Sequence, residues 1–474
     1  MNSCLSWGGR AQDQDLRELD EYYSEKIGLA TFFYVTIGSQ SIHQAVRVGE
    51  EKLESTPELF ALPEQIGGNR KMILSSLRHR NYRIFFIGSS ISSIGTWVHR
   101  IAQDWLVLEL TNSGQALGIV VSAQFLPGFF FSLSGGSIAD RFDRRKALIL
   151  CNFSGSLISL LLGILVIAGK ANLAAVTIAA FLLGTANAID GPIRQSYYVI
   201  LVGEGDLPNA LSLNSANINV GRLIGPVLSG VLIERFGTGP SFIINSGSFV
   251  VVLTSLLLVK PGLYQADQHA AVIDAGARLR AGVIHVLSKP ELFMSILLVS
   301  FLAMWGQDMQ ITSAMMAKDT FARGAASFGA LGSSLALGAI LGALVFAKKT
   351  RLPDVRDIGM AALKMSVVWF FASIAPNFLS YAAALFLCGY FSMGVNISGN
   401  GSLRTYSSPH FYGRAWGIYI FVWQTLIALG APVLGWINQN LSPRIAIGLG
   451  ALMAALMATY VLRRFRNIEV GDYG

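Results

Sequence analysis

One twelve-residue segment, GGSIADRFDRRK at 135–146, restricts the possible folds more than any other part of the chain. It lies between two long apolar segments, and its paired glycines allow helices to approach closely at a tight turn. Asp140 can accept hydrogen bonds from free N–H groups at a helix start, and Arg144 can reach a carboxylate on a neighbouring helix. The segment therefore predicts a short basic connection between packed helices. A basic loop that only orients the chain, with an incidental aspartate, is the alternative.

The composition around this segment indicates an integral membrane protein. The chain has 474 residues, of which 53% are hydrophobic and 14% are charged, whereas a soluble domain carries roughly 25% charged residues. Its mean hydropathy is +0.52. Too little polar surface remains to enclose a water-soluble body of this size, so a disordered chain, a collagen and a disulfide scaffold are excluded. The three cysteines and six histidines show no metal-ligand spacing, and neither a metal nor a cofactor is expected.

The distribution of charge argues against nucleic-acid binding. The formal net charge is +8, but residues before Met72 carry 7 basic and 11 acidic side chains, and the rest of the chain carries 29 and 17. The later cations stand in short stretches between apolar segments about 20 or more residues long, which is typical of membrane-spanning helices flanked by Lys and Arg. A lipid bilayer, rather than a nucleic acid, is the expected partner.

Twelve apolar segments can be counted from Asn81 onward. The long charged break at 260–290 predicts a loop that joins two halves of six helices. We predict membrane-spanning helices at 82–109, 115–138, 146–169, 172–199, 208–234, 240–259, 291–316, 326–347, 358–375, 378–402, 413–437 and 442–462.

The basic residues also predict the orientation. With the N-terminus inside, the cytoplasmic side collects 21 Lys and Arg residues and the outer side collects 5, so both termini are expected in the cytoplasm. Residues 1–71 are either a cytoplasmic extension or an addition made by a start codon placed too early. The other predicted units are a first bundle, a cytoplasmic central loop, a second bundle and a cytoplasmic tail, at 72–259, 260–290, 291–465 and 466–474.

The two halves repeat one another. Gly136 and Gly342 are 206 residues apart, and so are Pro226 and Pro432. Helices five and eleven each carry a Gly/Pro/Gly cluster. Several matches at nearly one offset predict a duplicated six-helix unit. Two such halves around a central site form a transporter architecture.

The segment at 135–146 closely resembles the conserved loop between helices two and three of the major facilitator superfamily. A second segment, NVGRLIGPVLSG at 219–230, resembles the Gly-Pro motif of that superfamily's exporters and antiporters. Its glycines also serve ordinary helix packing, and its proline bends a helix. The resemblance implies a cytoplasmic conformational latch at Gly136, Asp140, Arg141, Arg144, Arg145, Asp190, Arg194, Gly413 and Arg414. It also implies an antiporter-type fifth helix with Gly221, Arg222, Gly225, Pro226 and Gly230.

The family pattern makes the latch specific. It implies an ion pair between Arg144 and Asp190, together with a cap on the start of helix eleven by Asp140, when the cytoplasmic side is closed. Phe346 stands where the aspartate of the second half would map. Only the first half is therefore expected to carry a full latch.

Stretches at 81–86, 95–97, 102–107, 190–195 and 206–211 are similar to the bacterial branch of enterobactin exporters and macrolide or multidrug efflux proteins. The resemblance implies an all-α membrane protein with twelve helices in two pseudo-symmetric six-helix bundles. It implies a proton-coupled exporter of amphipathic small molecules in the bacterial inner membrane, and siderophores, macrolides and other drugs fit equally. A monomer is expected. The alternatives are a transport-inactive sensor or structural relative, and a lipid-modifying membrane enzyme, which would need clustered acids or histidines that the sequence lacks.

Several charged residues fall within the apolar segments, and four of them are candidate charge or proton sites. Arg222 is predicted near mid-depth in helix five, where an arginine is costly unless it faces water or a partner. It is either a structural clamp or a binding or coupling residue. Arg100 and Asp104 lie one turn apart near the outer end of helix one, and Asp308 lies at the corresponding depth in helix seven. Either aspartate could take up a proton, or each is a solvated interfacial carboxylate, with Asp104 paired to Arg100.

A substrate cavity is implied between helices one, four, seven and ten. Its few charges and several aromatic residues suit a large amphipathic small molecule. For each aromatic side chain, contact with lipid or another helix is the alternative. The candidate cavity residues are Ser93, Trp97, Thr185, Asn187, Trp305, Gln310, Asn396 and Asn400.

Overall fold

The computed structural model describes residues 74–131, 143–260, 275–307, 309–346, 353–408 and 411–466. These parts of the chain are helical and contain no strand. We name the two ends of the helix bundle by the predicted orientation. The first long helix begins at the cytoplasmic face and ends at the outer face, and each later spanning helix runs in the opposite direction to the one before it.

The first half contains six helices. The fourth and fifth lie within the stretch Leu173–Phe236, and Gly203 separates them because its φ of 74° breaks the helical path. A side chain with a Cβ is strained at that φ, so the kink falls on a glycine. The helices are α1 Arg80–Thr111, α2 Gly114–Phe131, α3 Arg144–Ile167, α4 173–202, α5 204–236 and α6 Gly239–Leu258.

The second half repeats this arrangement with an irregular first helix. That helix, α7 at Pro290–Thr320, contains π-helical turns at Ala303–Gln307 and Met316–Thr320. A π-turn inserts an extra residue and weakens the helical hydrogen-bond ladder, and such turns occur frequently at functional sites. The remaining helices are α8 Ala325–Phe346, α9 Val355–Ser373, α10 Phe378–Tyr406, α11 Tyr412–Asn440 and α12 Pro443–Arg464.

The described residues contain twelve spanning helices, the number that the sequence predicts. Within the described residues, nine helices are long and apolar enough to cross a membrane by length and composition, and one of these is the stretch that divides into α4 and α5. The more polar α1 and α9 complete the set. The observed bounds lie within a few residues of the predicted ones, with one of the largest of these extensions where α10 runs on to Tyr406. The predicted end of the second helix, at 132–138, lies outside the described residues.

The predicted loop between the halves needs a correction. It contains a helix of 13 residues, Ala275–Leu287, which we call the linker helix. Its Gly282 lies against the Cβ of Arg414 in α11, and Val286 is buried. Apolar and basic residues alternate in this segment at helical spacing, so its apolar face can pack on the cytoplasmic ends of other helices. The segment is therefore helical, although its charged composition predicted a loop.

Polar residues cap several helices at the positions where the sequence breaks. Asp143 accepts from the backbone N–H of Lys146 at 2.8 Å, and Asn172 accepts from Ala175 at 2.9 Å. Each cap satisfies a backbone donor that the first turn of a helix leaves free. Asp143 is therefore the residue that caps the start of α3.

The outside of the bundle is apolar. Leu150 and Ile167 of α3 and Leu257 of α6 are each 65–66% exposed. A water-soluble monomer rarely exposes so many large aliphatic side chains together. This surface matches the hydrocarbon core of a bilayer.

The first seam between the halves joins α5 to α8. A Cβ added at Gly230 would lie 2.8 Å from the Cα of Ala326, so the two backbones are in direct contact. Ser333 in α8 donates to the backbone carbonyl of Leu223 in α5 at 2.7 Å. Small residues at the contact thus bring two helices together closely enough for backbone packing.

The second seam joins α11 to α2 in the same way. A Cβ added at Gly435 would lie 2.5 Å from the backbone carbonyl oxygen of Gly114. Ser122 in α2 donates to the carbonyl of Ala428 in α11 at 2.6 Å. Helix five of each half therefore packs on helix two of the other half. The duplicated Gly/Pro clusters are the residues that form these two related contacts.

Candidate functional site

A central cavity lies between the two halves at mid-depth. It is lined by side chains of α1, α2, α5, α7, α8, α9, α10 and α11. Its walls are mostly apolar and aromatic, with Phe125 and Trp423 meeting edge to face at 6.2 Å. No cluster of three or more potential metal ligands occurs within the described residues. The cavity is thus suited to an organic molecule with substantial apolar surface.

Two arginines share one tryptophan in this cavity. The guanidinium carbon of Arg100 lies 4.9 Å from the ring centroid of Trp97, and that of Arg222 lies 5.1 Å from it. The two cations are therefore no more than 10 Å apart. Each stacking contact stabilises its arginine by about 0.5–2 kcal/mol.

Helix geometry explains why these residues meet. Trp97 lies 14 residues before the end of α1 and Arg222 lies 14 residues before the end of α5, so both are about 21 Å from the outer ends of their helices. Gly221 and Gly225 bring α5 against Ser93 and Trp97 of α1. This packing places the Arg222 side chain beside the indole.

Arg100 has a second neighbour on α2. With the Gln124 amide oriented so that its oxygen faces the guanidinium, that oxygen accepts from Nε at 3.2 Å and from Nη2 at 2.8 Å. The ring of Phe125 lies 5.7 Å from the guanidinium carbon. Arg100 is therefore held in one place by groups of α1 and α2.

The structure places the eight candidate cavity residues differently from one another. Trp97 and Gln310 line the cavity. Ser93 instead donates to the carbonyl of Asn217 across the contact with α5, and Trp305 packs against Gly450 of α12. The remaining four are not part of the lining: Thr185, Asn187, Asn396 and Asn400.

The cavity also departs from the predicted set of helices. Helices one, seven and ten contribute to its lining, whereas helix four does not, and α5, α8 and α11 do. Sequence reasoning missed Phe125 and Trp423, which are aromatic residues near mid-depth of α2 and α11. Both residues belong to helices of the second seam. The sequence alone could not indicate them, because the contact between α2 and α11 is seen only in the structure.

Asp104 is buried, with 1% of its surface exposed. The expectation of a solvated interfacial carboxylate is therefore wrong for this residue. The reason is that the outer part of α1 packs against the second half of the chain, where Phe328 of α8 stacks on Trp105 at 6.2 Å. Asp308 lies outside the described residues.

The outer face of the bundle is closed. Lys318 at the end of α7 donates to the carbonyl of Leu108 in α1 at 2.6 Å. The side-chain oxygen of Gln439 in α11 accepts from the backbone N–H of Gly114 at 2.6 Å. Both bonds cross between the halves beyond the cavity on the outer side.

The helix-five motif contributes to both contacts of α5. Gly221 and Gly225 face α1, whereas Pro226 and Gly230 face α8 of the other half. A Cβ at Gly332 of α8 would lie 3.2 Å from Cβ of Pro226. Arg222 stands between these glycines and points to the cavity, where it is part of the lining.

Asp190 of the predicted latch is engaged within the first half. Its oxygens accept from Nε and Nη2 of Arg194 at 2.6 and 3.0 Å, and from the side-chain amide of Asn152 at 3.1 Å. Arg194 also donates to Ser89 of α1 at 2.9 Å and lies 5.2 Å from the ring of Phe85. In this conformation the ion pair of Asp190 is formed with Arg194 and not with Arg144.

The other latch residues are distributed over the cytoplasmic face. Arg145 donates to the carbonyls of Leu256 and Leu257, at the end of α6, at 2.9 and 3.1 Å. A cation at the C-terminus of a helix is favourable because free carbonyl groups meet there. Arg144 begins α3. Gly136, Asp140 and Arg141 lie outside the described residues, as does the predicted contact of Asp140 with α11.

The linker helix meets the start of α11 at Phe411 and Arg414, whereas a Cβ added at Gly413 would meet nothing within 4 Å. His285 stacks on Phe411 with ring centroids 4.4 Å apart and planes 8° from parallel. The guanidinium of Arg414 lies 4.8 Å from the same phenyl ring. Burial, followed by the positive charges of Lys289 and Arg414, lowers the pKa of His285 below its ordinary value. The neutral imidazole is thus the form that fits this contact.

Comparison with known proteins identifies the family. A family model described as transmembrane secretion effector matches residues 72–472. The chain belongs to this family of the major facilitator superfamily. It is a multi-pass membrane transporter of a small molecule rather than an enzyme.

The transporter is similar to siderophore transporters over part or most of its length. It is 24% identical over 406 residues to the enterobactin exporter EntS of Shigella boydii serotype 18. This match spans 82% of the chain and 94% of the relative. It is 29% identical over 178 residues to the staphyloferrin A transporter of Staphylococcus aureus, a match that spans 37% of this chain and 45% of the relative.

The fold is also that of solved transporters. The crystal structure of the nucleoside transporter NupG aligns with a TM-score of 0.62 at 16% identity, over 82% of this chain and all of that chain. This likeness confirms the predicted fold of two pseudo-symmetric six-helix bundles.

Proposed function

We propose that this transporter is a proton-coupled exporter of amphipathic small molecules, of the siderophore, macrolide or drug type. It works by alternating access in the bacterial inner membrane, with both termini in the cytoplasm and with a monomer as the working unit. The observation that carries the proposal is the central cavity, which is lined by both halves and closed toward the outer face by Lys318 and Gln439. Rocking of the halves about their two seams would open the same cavity to the other side.

Three further observations support export. The helix-five motif of Gly221, Gly225, Pro226 and Gly230 lies on both contacts of α5, where a rocking motion must be accommodated. A relative that aligns over most of the chain is an exporter of enterobactin. The π-turns of α7 border the cavity residues Gln310 and Ser313 and provide a weakened stretch of helix at which the path can bend.

Proton coupling is assigned to Asp104 and Asp308. Asp104 is buried one turn from Arg100, in a helix that borders the cavity. A buried carboxylate gains from protonation, so it can bind a proton in one conformation and release it in another. Arg222 and Arg100 supply positive charge close by, which the coupling cycle can use to favour proton release.

The test is uptake into everted membrane vesicles with an imposed pH gradient, acidic inside. We expect gradient-driven uptake of at least one of three compounds, a catecholate siderophore, a macrolide and an amphipathic dye, and loss of that uptake with a protonophore. Asp104→Asn and Asp308→Asn should flatten its pH profile, whereas the control Glu234→Gln, on the exposed outer part of α5, should not. Absence of gradient-driven uptake of every compound would contradict the proposed function.

A further inference from the structure

A histidine is buried inside the first half, close to the middle of α1. His99 lies 12 residues before the end of α1, so it is about 18 Å from the outer end of that helix. It is 5% exposed, and its ring meets Phe242 of α6 edge to face with centroids 4.8 Å apart. An ionisable side chain within a membrane-spanning helix is costly and indicates a functional role. The proposed function does not yet use this residue.

The surroundings of the His99 ring from the other helices are uncharged. Phe242 of α6 contacts the ring, and Asn245 of α6 lies against Gly95, one turn before His99. The Asn245 amide donates to Ser159 of α3 at 3.2 Å. Within the described residues, neither nitrogen of the His99 ring makes a hydrogen bond of ordinary geometry. A buried polar group of this kind needs an explanation, because nearly all such groups in folded proteins are hydrogen-bonded.

The polar neighbours of the ring lie on its own helix and on α2. Gln103, one turn further along α1 and 1% exposed, interacts with the ring, and Arg100 is the residue whose charge acts on it. The side chain of Gln103 is hydrogen-bonded to that of Gln124 at 3.1 Å. Gln124 in turn contacts Arg100, which lines the cavity. The two amides therefore connect His99 in the interior of the first half with a side chain of the cavity wall.

The orientation of these two amides depends on the proton of His99. When the Gln124 oxygen accepts from Arg100, the Gln124 amide group must donate to the Gln103 oxygen, so the Gln103 amide group faces the ring. A ring nitrogen that accepts from this amide carries no proton.

A protonated imidazole instead has an N–H group on both nitrogens, and it needs the Gln103 oxygen as acceptor. Gln103 then donates to Gln124, and the Gln124 amide group faces Arg100. Proton binding by His99 and the hydrogen bonds from Arg100 to Gln124 are therefore in competition.

We propose that His99 is a proton-binding residue of the transport cycle, and that the amides of Gln103 and Gln124 link its protonation to the position of Arg100. This rests on the proposed function, since it adds a proton site to the same transporter. The proton comes from water and binds the electron pair of one imidazole nitrogen. Arg100 then loses Gln124 as an acceptor and can turn toward the cavity. Proton binding thus acts on a cavity side chain without contact between the proton and the transported compound.

Nitrogen-15 NMR of the histidine rings tests proton binding without any transported compound. The full chain is labelled at histidine and placed in nanodiscs of uncharged lipid, and the His99 signals are those missing in His99→Gln. We expect them to change from the neutral to the doubly protonated pattern as the pH falls from about 8 to about 4. A ring that stays neutral over this whole range would overturn the inference.

The same titration tests the link through the amides. Gln124→Leu should displace the midpoint of the His99 titration by at least about half a pH unit, which is about a threefold change in proton affinity. Gln115→Leu is the matched control, because Gln115 also belongs to α2 but is exposed near its outer end. A midpoint that moves in neither variant, or equally in both, would overturn the link.

Transport measurements distinguish a proton-binding role from a structural one. His99→Gln keeps a polar side chain but cannot take up a proton. It should lower gradient-driven uptake about 5- to 150-fold and leave the exchange of labelled for unlabelled compound, which needs no net proton movement, within about twofold. His79→Gln is the control, since His79 is bonded to Asp206 at 2.8 Å outside the spanning helices. Equal loss of uptake and exchange in His99→Gln would overturn the inference.

The two measurements also separate this inference from the proposed function. Normal gradient-driven uptake by His99→Gln would retain the exporter and remove the proton site. Titration of His99 in a wild-type protein that shows no gradient-driven uptake of any compound would retain the proton site and contradict the proposed function.

Discussion

Replacing Gly435 with alanine should open the outer face of the transporter. The new Cβ would lie 2.5 Å from the carbonyl oxygen of Gly114 and 3.1 Å from the Cα atoms of Gln115 and Gly118, all of them backbone atoms of α2. A comfortable contact needs about 3.5 Å, so α11 and α2 must separate by about 1 Å. The bond from Gly114 N–H to Gln439, now 2.6 Å, would lengthen with them.

The added methyl group destabilises only the conformation in which the outer face is closed. Overpacking of a close contact costs about 1–3 kcal/mol. The contact belongs to the state with a closed outer face, so the ratio of outer-open to outer-closed molecules should rise about 5- to 150-fold. The change in this ratio measures how much the second seam stabilises the outer-closed state.

The assay is electron paramagnetic resonance distance measurement across the outer face. Spin labels are attached at Lys170→Cys and Leu379→Cys, both exposed, after the native cysteines have been replaced by alanine. We expect a longer-distance population to grow in Gly435→Ala. Gly417→Ala is the control, since a Cβ at Gly417 on the same helix meets nothing within 4 Å. Identical distance distributions in Gly435→Ala and wild type, at unchanged thermal stability, would refute the reasoning.

Three other outcomes test the cytoplasmic face. Asp140→Asn and Arg144→Ala should each lose efflux at normal membrane abundance, and normal efflux by both would remove the latch. Arg194→Gln breaks a mostly buried pair and should destabilise the protein by about 3 kcal/mol, read as a lower melting temperature than in Arg194→Lys. The pKa of His285 is lower in the folded protein than in the unfolded chain, where it is about 6.5. The contact of His285 with Phe411 is therefore fully stable above pH 6.5, and it weakens as the pH falls through the pKa of the folded protein. Hydrogen-exchange protection factors in the linker helix, which are corrected for the slower intrinsic exchange at low pH, should therefore fall between pH 7.5 and 5.5, and His285→Phe should remove this dependence.

The membrane fold could be predicted from sequence because its signals are local. Each apolar stretch is long enough to cross a hydrocarbon core by itself, and the charged residues mark the ends of most stretches. The Gly/Pro clusters around Pro226 and Pro432 revealed the duplication. The exception is the linker helix, whose charges concealed a short amphipathic segment that is folded by its contact with α11.

The site was less accessible to sequence reasoning. Arg100, Arg222 and Trp97 were each recognisable as unusual within an apolar segment, yet nothing in the sequence joined them. Thr185 and Asn187 have the polarity expected of cavity residues, but they are absent from the lining that the structure shows. For Asp104 the sequence left open a proton site or a solvated carboxylate, and the residue is buried because the second half of the chain covers it.

The amino-acid sequence by itself determined that this chain is a bundle of twelve apolar helices in two related halves. The length of each apolar segment is a local property, and the repeat can be seen by comparing the sequence with itself at a single spacing. Only the tertiary structure decided which side chains face the cavity, which contact the other half, and that two arginines from separate helices meet on one indole. The rotation and depth of each helix are fixed by the close backbone contacts at glycines such as Gly225 and Gly435. Those contacts depend on residues far apart in the chain, so no single stretch of sequence contains them.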